Sequence, residues 1–227
     1  MRICVLVGCV IAVIGLTGCP SYTTAGLARP IAKGTVQTTL TPGAQNYTGS
    51  YFGVTIPLTW PQIEAGIRWG VSDSLELSGK VWLLGVEGEA KYAILQSATL
   101  DSGVDISIAP SLGLTCYGVI GTLSASVPLL IGINFGGNQL VIGPKAVEHI
   151  VGGPGGIGHM LMAGTSLGYA IRVNDELRVM PEITALIPVF FGVAGQSGGA
   201  GAGGFVGQLS VGLMWGGKYR SSSPPPL

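Results

Sequence analysis

The residues from 63 to 95 alternate between apolar and polar side chains with a period of two. Ile63, Ile67 and Trp69 fall on one side of the pattern, whereas Glu64 and Arg68 fall on the other. Short polar or glycine-containing turns interrupt the alternation, which then resumes. Because successive side chains of a strand point to opposite faces, this stretch predicts consecutive β-strands with one apolar and one polar face each.

The same alternation recurs along the chain as far as Trp215. The further runs lie at 104–116, 121–135, 161–173, 177–189 and 205–215, with a less regular run at 139–149 and a short Thr-rich candidate at 35–41. Together they predict about ten strands, most of them as long as the roughly 9–11 residues that a strand needs to cross a bilayer. Prolines at 110, 128, 144, 181 and 188 fall inside these runs and predict bulges or strand ends.

The composition indicates which solvent meets the apolar faces. Charged residues make up only 10% of the chain and its net charge is zero, whereas an average soluble domain carries roughly 25% charged residues. Too few charges exist to cover an outer surface, and faces of Gly, Ser and Thr suit a narrow transmembrane lumen. We therefore expect an all-β fold, an antiparallel up-and-down transmembrane β-barrel of about ten strands (roughly 8–12). No basic excess favours nucleic acid as a partner.

The N-terminus has the form of a secretory signal peptide, with Arg2 followed by an apolar run at 3–16. It ends in Leu-Thr-Gly-Cys at 16–19, which resembles the lipobox of bacterial lipoproteins. That resemblance implies removal of residues 1–18 and a covalent diacylglycerol, with acyl chains such as palmitate, on Cys19. Because Pro20 follows the cysteine, it also implies sorting to the outer membrane.

The remaining cysteines leave little for redox or metal chemistry. Cys4 and Cys9 lie in the signal peptide, and Cys19 would be lipidated, so Cys116 alone remains. An internal disulfide and a thiolate metal cluster are thereby excluded. We expect no cofactor. Residues 19–34 are predicted as a lipidated linker, 35–216 as the barrel, and 217–227 as a disordered, Pro-rich tail.

The predicted loops indicate an orientation in the membrane. A lipid on Cys19 would require a periplasmic N-terminus. The loops at 42–61, 150–159 and 190–204 then fall on the outer side, and tight turns at 72–73 and 174–175 on the periplasmic side. Long outer loops with short periplasmic turns are typical of outer-membrane barrels.

Aromatic side chains support the same orientation, because those on the apolar faces share one end of their strands. They would form a girdle at the periplasmic interface. Its members are Trp69, Tyr92, Phe135, Tyr169 and Trp215.

Two runs, GIRWGVSDSLEL and GYAIRVNDELRV, resemble the strand–turn–strand hairpins of small bacterial outer-membrane β-barrel proteins. The resemblance covers about residues 35–216 and implies a membrane-embedded barrel. Such barrels often end at an aromatic residue, whereas twelve residues follow Trp215 here.

Charges on the polar faces predict a network that neutralises itself inside a narrow lumen. Its members are Glu64, Arg68, Glu76, Lys80, Glu87, Glu89, Lys91, Arg172, Arg178 and Glu182. A small pore lined by these charges is the alternative, although about ten strands leave little room.

Motifs typical of enzymes are weak in this chain. G-x-S-x-G around Ser166 lies in a period-two run rather than at a strand–turn–helix junction. G-x-G-x-x-G at 153–158 precedes a strand pattern instead of a helix. His149, His159 and Glu148 are too few for a metal site with orienting partners.

The sequence thus predicts an outer-membrane β-barrel lipoprotein, lipid-anchored on the periplasmic side, with a structural, surface-interaction or narrow-pore role and no evident catalysis. Alternatives are a lipid-anchored periplasmic barrel that binds an apolar ligand, an outer-membrane lipid-modifying hydrolase that uses His159, and a helical span at 117–135. The bilayer is the expected partner, and no protein partner is indicated.

Overall fold

The structure is a computed structural model that describes residues 21–51, 54–153, 156–193 and 204–219. The predicted signal peptide, Cys19, most of the predicted loop at 190–204 and the tail beyond Tyr219 lie outside the described residues. The described residues contain no helix that could span a membrane.

Eleven β-strands account for most of the described chain. They are β1 (Val36–Tyr51), β2 (Val54–Gly70), β3 (Leu75–Trp82), β4 (Gly85–Leu95), β5 (Ser102–Ile108), β6 (Ser111–Tyr117), β7 (Ile120–Phe135), β8 (Asn138–Gly153), β9 (Gly156–Arg172), β10 (Leu177–Val193) and β11 (Gly204–Gly216). All pairings between them are antiparallel.

The strands close into one barrel. Consecutive strands pair around the wall, except for β5 with β6, and β11 pairs with β1. β5 and β6 both lie between β4 and β7 and share one position, so eleven strands make ten positions in the wall. The prediction of an all-β, antiparallel barrel of about ten strands is confirmed.

The barrel has two rims of different shape. The near rim carries the start of β1, the end of β11 and the short connections 71–74, 136–137 and 173–176. The far rim is the opposite end and carries the turn at 83–84. β2 pairs with β1 over its whole length but with β3 only from Glu64 onward. The wall is therefore low at β3 and β4 and tall elsewhere.

The tall wall corrects the predicted loop at 42–61, which was wrong. Residues up to Tyr51 extend β1, and β2 begins at Val54. Pro57 and Pro61 suggested a loop, but they lie where β2 has no β3 partner. A missing N–H is tolerated on such a free edge. The predicted loop at 150–159 is likewise mostly strand, in β8 and β9.

The five prolines of the predicted strands fall mainly at irregular places. Pro110 separates β5 from β6, and Pro128 faces that break, where its carbonyl accepts the Ala109 N–H at 3.1 Å. Pro188 lies at a register shift between β10 and β9. Pro144 and Pro181 remain inside β8 and β10.

The outer surface is apolar and the lumen is largely polar. Outward positions carry exposed side chains such as Ile63, Ile67 and Leu112, which are 65%, 54% and 64% exposed. Inward positions on the same strands carry buried Glu64, Arg68 and other polar groups. A water-soluble barrel has the opposite distribution, so these surfaces fit a barrel surrounded by lipid.

Candidate functional site

The segment predicted as a linker lies inside the barrel. Residues 21–32, here called the plug, form no helix or strand. Most of them are buried, and Leu27, Ala28, Arg29 and Ile31 are at most 2% exposed. A segment rich in small polar residues is therefore enclosed by the wall instead of crossing water.

The plug runs from the near rim toward the middle of the lumen. At the rim, the Gly34 N–H donates to the Gly70 carbonyl at 2.7 Å and the Ala32 N–H donates to the Lys218 carbonyl at 2.6 Å. Deeper in the lumen, the Tyr22 hydroxyl lies 3.0 Å from His149 Nε2. The chain thus enters beside β1 and ascends within the barrel.

Side chains of the wall accept hydrogen bonds from the plug backbone. The Glu182 carboxylate accepts the N–H groups of Thr24 and Ala25, both at 2.8 Å. Gln139, Glu76 and Gln208 accept the N–H groups of Ala28, Ile31 and Tyr22 at 2.7, 2.9 and 2.9 Å, respectively. Because a buried unpaired N–H is costly, these acceptors replace the partners that a helix or sheet would supply.

Cationic side chains of the wall donate to the plug carbonyls. Arg68 Nη2 donates to the carbonyls of Thr24 and Ala25 at 2.8 and 3.0 Å. Lys80 Nζ donates to the Thr23 carbonyl at 3.0 Å, and Lys145 Nζ donates to the Tyr22 carbonyl. Backbone donors and acceptors of the plug are therefore bound by side chains of several fixed strands.

One plug side chain forms an ion pair inside the wall. Arg29 Nη2 lies 2.9 Å from Asp105 Oδ1, and both side chains are at most 2% exposed. The other Asp105 oxygen accepts from Asn134 and Gln139 at 2.7 and 2.9 Å. A buried pair needs such additional hydrogen bonds to offset the loss of hydration.

Three side chains of the plug pack on two apolar patches of the lumen. Leu27 and Ala28 belong to a buried cluster, and Tyr22 belongs to a second one. The wall residues are Ala109, Leu130, Val141, Ala170, Met180 and Met214 in the first cluster, and Val147, Met162, Leu186 and Val206 in the second. These patches would face an aqueous lumen if the plug were absent.

Two glycines allow the plug and wall to approach closely. A Cβ on Gly26 would lie 2.1 Å from Arg68 Nη1, and a Cβ on Gly70 would lie 2.2 Å from the Ala32 carbonyl oxygen. Ala25 has a φ of +36°, a left-handed conformation that L-residues with a side chain disfavour. The wall thus holds the plug in a strained turn at Ala25 and Gly26.

Most of the predicted charge network lies in the lumen, on β2, β3 and β4. Glu76 Oε1 lies 2.9 Å from both Arg68 Nη1 and Lys91 Nζ. Lys80 Nζ lies 3.1 Å from Glu87 Oε1 and 3.9 Å from Glu64 Oε2. Glu89 also faces the lumen, where it accepts from Ser78 Oγ at 3.4 Å. Glu182 is buried on the other side, bound to the plug.

Two members of the predicted network lie at the near rim. Arg172 is exposed and pairs with Asp175 of the adjoining turn. Arg178 stacks over the Tyr219 ring, with its Cζ 5.0 Å from the ring centroid, and donates to the Gly137 carbonyl at 2.7 Å. Desolvation raises the pKa of Tyr219 above its ordinary value, so its hydroxyl is neutral.

The five predicted girdle residues all lie near the near rim. Trp69, Tyr92, Phe135 and Trp215 are between 40% and 54% exposed, and Tyr169 is intermediate. Phe135 and Tyr169 stack with their centroids 5.5 Å apart. Their position at one end of an apolar surface is the place that aromatic rings take at a bilayer interface.

The residues considered for hydrolysis lie on two faces of the wall. Ser166 points into the lumen, is 2% exposed, and lies 3.1 Å from Thr24 Oγ1. His159 is on the outer face, where its Nδ1 lies 3.2 Å from Glu148 Oε1 and its ring contacts Phe190. The structure therefore does not bring Ser166 and His159 together. Among the described residues, no cluster of His, Cys, Asp and Glu is suited to a metal ion.

With the plug in place, the lumen has little open space. Two cavities border the plug, one beside Glu64 and Lys80 and the other beside Lys145 and His149, and each measures about 20 Å³. A cavity of this size holds about one water molecule. A larger cavity of about 580 Å³ lies at the near rim, beside Arg172, Arg178 and Tyr219.

Sequence analysis did not predict the contacts that hold the plug. They are made by Tyr22 and Arg29 of the plug and by Gln139, Lys145 and His149 of the wall. A signal existed on the faces expected to be polar. Three methionines, Met162, Met180 and Met214, occupy inward positions and are at most 1% exposed. Apolar side chains in a polar lumen indicate that something covers them.

The fold and its surfaces define a class. A closed ten-position barrel with an apolar exterior and a polar interior is a transmembrane β-barrel. This barrel carries its own N-terminal segment in the lumen.

Comparisons with known proteins find similarity to solved structures alone. No protein-family model and no curated protein match the chain. The chain is similar to the outer membrane protease OmpT from Escherichia coli, at 8% identity and a TM-score of 0.47, over 82% of this chain and 98% of that one. It is also similar to the outer membrane protein OprG from Pseudomonas aeruginosa, at 9% identity and a TM-score of 0.32, over 85% and 98% of the two chains. Ail, the attachment invasion locus protein of Yersinia pestis, is similar at 8% identity and a TM-score of 0.28, over 79% and 97%. These values carry no inference about activity.

Proposed function

We propose that this protein is a bacterial outer-membrane barrel whose lumen is sealed by its own N-terminal segment. It would act as a membrane-embedded scaffold that presents its far rim, rather than as an open pore. The observation that supports this role is the buried plug, whose backbone is bound by side chains on several strands of the wall.

We infer the orientation of the barrel in the membrane from the connections and strands at its two rims. Short connections lie at the near rim, whereas the long strands β1, β2, β8, β9 and β10 extend to the far rim. Short turns face the periplasm in outer-membrane barrels, so we place the near rim there. The near-rim aromatic residues would then form the periplasmic girdle.

The position of a lipid on Cys19 must be compatible with the position of the plug inside the lumen. Ser21 is buried in the lumen, 3.0 Å from Lys80 Nζ, and two residues reach at most about 7 Å. A lipid in the leaflet at the near rim would therefore require the plug to withdraw. Lys80 lies two residues before the end of β3, where the wall is low. We therefore propose that the anchor lies on the side of the far rim, in place of the periplasmic side expected from the sequence. Mass spectrometry of the processed N-terminus, combined with labelling on intact cells, tests this.

Ion passage tests the seal. Purified protein reconstituted in planar bilayers should show no steady conductance. Leu27→Asp should open the lumen, because it places a carboxylate in a buried apolar cluster. Val119→Asp is the matched control, since Val119 is 77% exposed in the far-rim turn at 118–119. Steady conductance of the unchanged protein would remove the sealed-barrel proposal.

The two alternative functions, a soluble ligand-binding barrel and a lipid-modifying hydrolase, require different properties of the outer surface. A soluble ligand-binding barrel would have to expose Ile63, Ile67 and Leu112 to water, and extraction by urea or carbonate would then release it. A lipid-modifying hydrolase would act through the outward pair of His159 and Glu148. Membrane lipids that change on overexpression, but not with His159→Ala, would favour that enzyme.

A further inference from the structure

We propose that the lumen wall is a binding site for a peptide segment without helix or strand structure and that the plug is its covalently attached occupant. The peptide class has a glycine followed, three residues later, by an arginine, as Gly26 and Arg29 are arranged in the plug. This inference rests on the proposed seal, because the same segment serves both roles. In addition, the wall would recognise the plug as a ligand, and a free peptide of the same class could replace it.

The wall recognises peptide backbone directly. Its acceptors bind the N–H groups of five plug residues: Tyr22, Thr24, Ala25, Ala28 and Ile31. Its cations bind carbonyls over the stretch 22–25. These wall groups belong to strands that are paired on both sides, so the site is built by the barrel. Proteins that bind extended peptides use main-chain hydrogen bonds for affinity and separate positions for specificity.

Two positions of the plug supply specificity. At Gly26 the Arg68 guanidinium lies where a Cβ would be, so a larger residue would displace it. At Arg29 the side chain reaches Asp105 and the Ser97 hydroxyl, the latter at 2.7 Å. A peptide without this arginine would leave the Asp105 carboxylate buried without a cation, which is strongly unfavourable.

The covalent connection to the barrel lies outside the site. Lys33 and Gly34 are exposed at the near rim, and the space around a Cβ on Gly34 is open. A cut between them would leave the wall contacts of residues 21–32 intact. The Gly34 N–H would stay with the barrel, where it already binds the Gly70 carbonyl.

The test uses the full chain with a site-specific protease sequence inserted between Lys33 and Gly34. The cut protein is unfolded in urea and refolded in detergent with an excess of a fluorescent peptide of residues 21–33, labelled at Lys33. Heat-modifiable migration reports the folded barrel. We expect the folded barrel to retain the labelled peptide, and unlabelled peptide of the same sequence to compete for it.

Peptide variants separate recognition from non-specific trapping. Gly26→Ala and Arg29→Ala peptides should compete about tenfold less well or worse, because each loses a charge-assisted contact or introduces a clash. A Lys33→Ala peptide should compete like the native sequence, since Lys33 is exposed. In Asp105→Asn protein, the native and Arg29→Ala peptides should become nearly equal.

Folded barrel without bound peptide, or equal competition by all peptides, would overturn the proposal. The conductance of the uncut chain is measured in parallel. A silent uncut chain whose cut form binds no peptide would remove the peptide site alone, whereas a conducting uncut chain would remove the seal.

Discussion

Both halves of the lumen wall bind the plug backbone, but they differ in the side chains that surround these contacts. The β2–β4 half carries a charged cluster in which Glu76 pairs with Arg68 and Lys91. The β7–β11 half carries buried apolar patches that pack on Leu27 and Tyr22. The charges of the first half largely neutralise each other within the wall. The apolar patches of the second half are buried by Leu27, Ala28 and Tyr22 of the plug and would be exposed without it.

This difference indicates which half requires a plug. A charged lumen wall can contact water, and many barrels have polar lumens. Apolar patches facing water lose the stabilisation that burial gives, roughly 25 cal/mol per Å². We therefore expect the charged half to determine the stability of the barrel itself, and the apolar half to determine whether the plug stays in place.

The largest loss of stability is expected for Glu76→Gln. One carboxylate holds Arg68, Lys91 and the Ile31 N–H, so its neutralisation leaves two buried cations without their anion. Breaking a buried pair in this way costs about 3–5 kcal/mol. Urea unfolding in lipid vesicles, followed by tryptophan fluorescence, measures the loss. Glu176→Gln is the control, because Glu176 is exposed in a near-rim turn. Equal midpoints for both variants would mean that the charged half contributes little.

Leu27→Ala should cost about 2–5 kcal/mol, because it removes a side chain that is 1% exposed from the apolar half. It should raise ion passage more than Glu76→Gln does, since Leu27 belongs to the plug, whereas a glutamine at position 76 keeps an oxygen that can accept the Ile31 N–H. The comparison between the two halves fails if Leu27→Ala lowers stability while the lumen stays closed. Leu83→Ala, at the exposed far-rim turn, should alter neither property.

The sequence predicted the outer face better than the lumen. Alternation in β2–β4 and β7–β11 follows from the bilayer on one side, so the number of strands and their apolar faces could be inferred. The plug could not be inferred, because residues 20–34 have two prolines and small polar side chains typical of a linker. Their burial depends on a concave lumen that exists only after β11 pairs with β1. The long β1–β2 hairpin was missed because of its prolines, of which Pro57 and Pro61 lie on an edge that is free above β3.

Gly70→Ala should cost about 1–3 kcal/mol, because it overpacks the point at which the plug passes the charged half. The added Cβ would lie 2.2 Å from the Ala32 carbonyl oxygen and 2.7 Å from the Ile31 carbonyl oxygen. Gly88→Ala is the matched control within the same half, since no atom lies within 4 Å of its Cβ position. It should leave stability unchanged or raise it slightly. Similar unfolding midpoints for the two variants would show that the plug can shift freely at its entrance.

The smallest expected change in the free energy of unfolding is an increase rather than a loss of stability. Ala25 lies between the two halves, where its N–H binds Glu182 and its carbonyl binds Arg68. Its φ of +36° is strained for alanine, so Ala25→Gly should stabilise the plugged barrel by up to about 1 kcal/mol. Ala28→Gly is the control, because glycine without a positive φ should destabilise by roughly 0.5–1 kcal/mol. Opposite shifts of the urea midpoint would show that both halves together impose the turn on the plug. Destabilisation by both substitutions would mean that the loss of the Ala25 methyl group outweighs the strain at that residue.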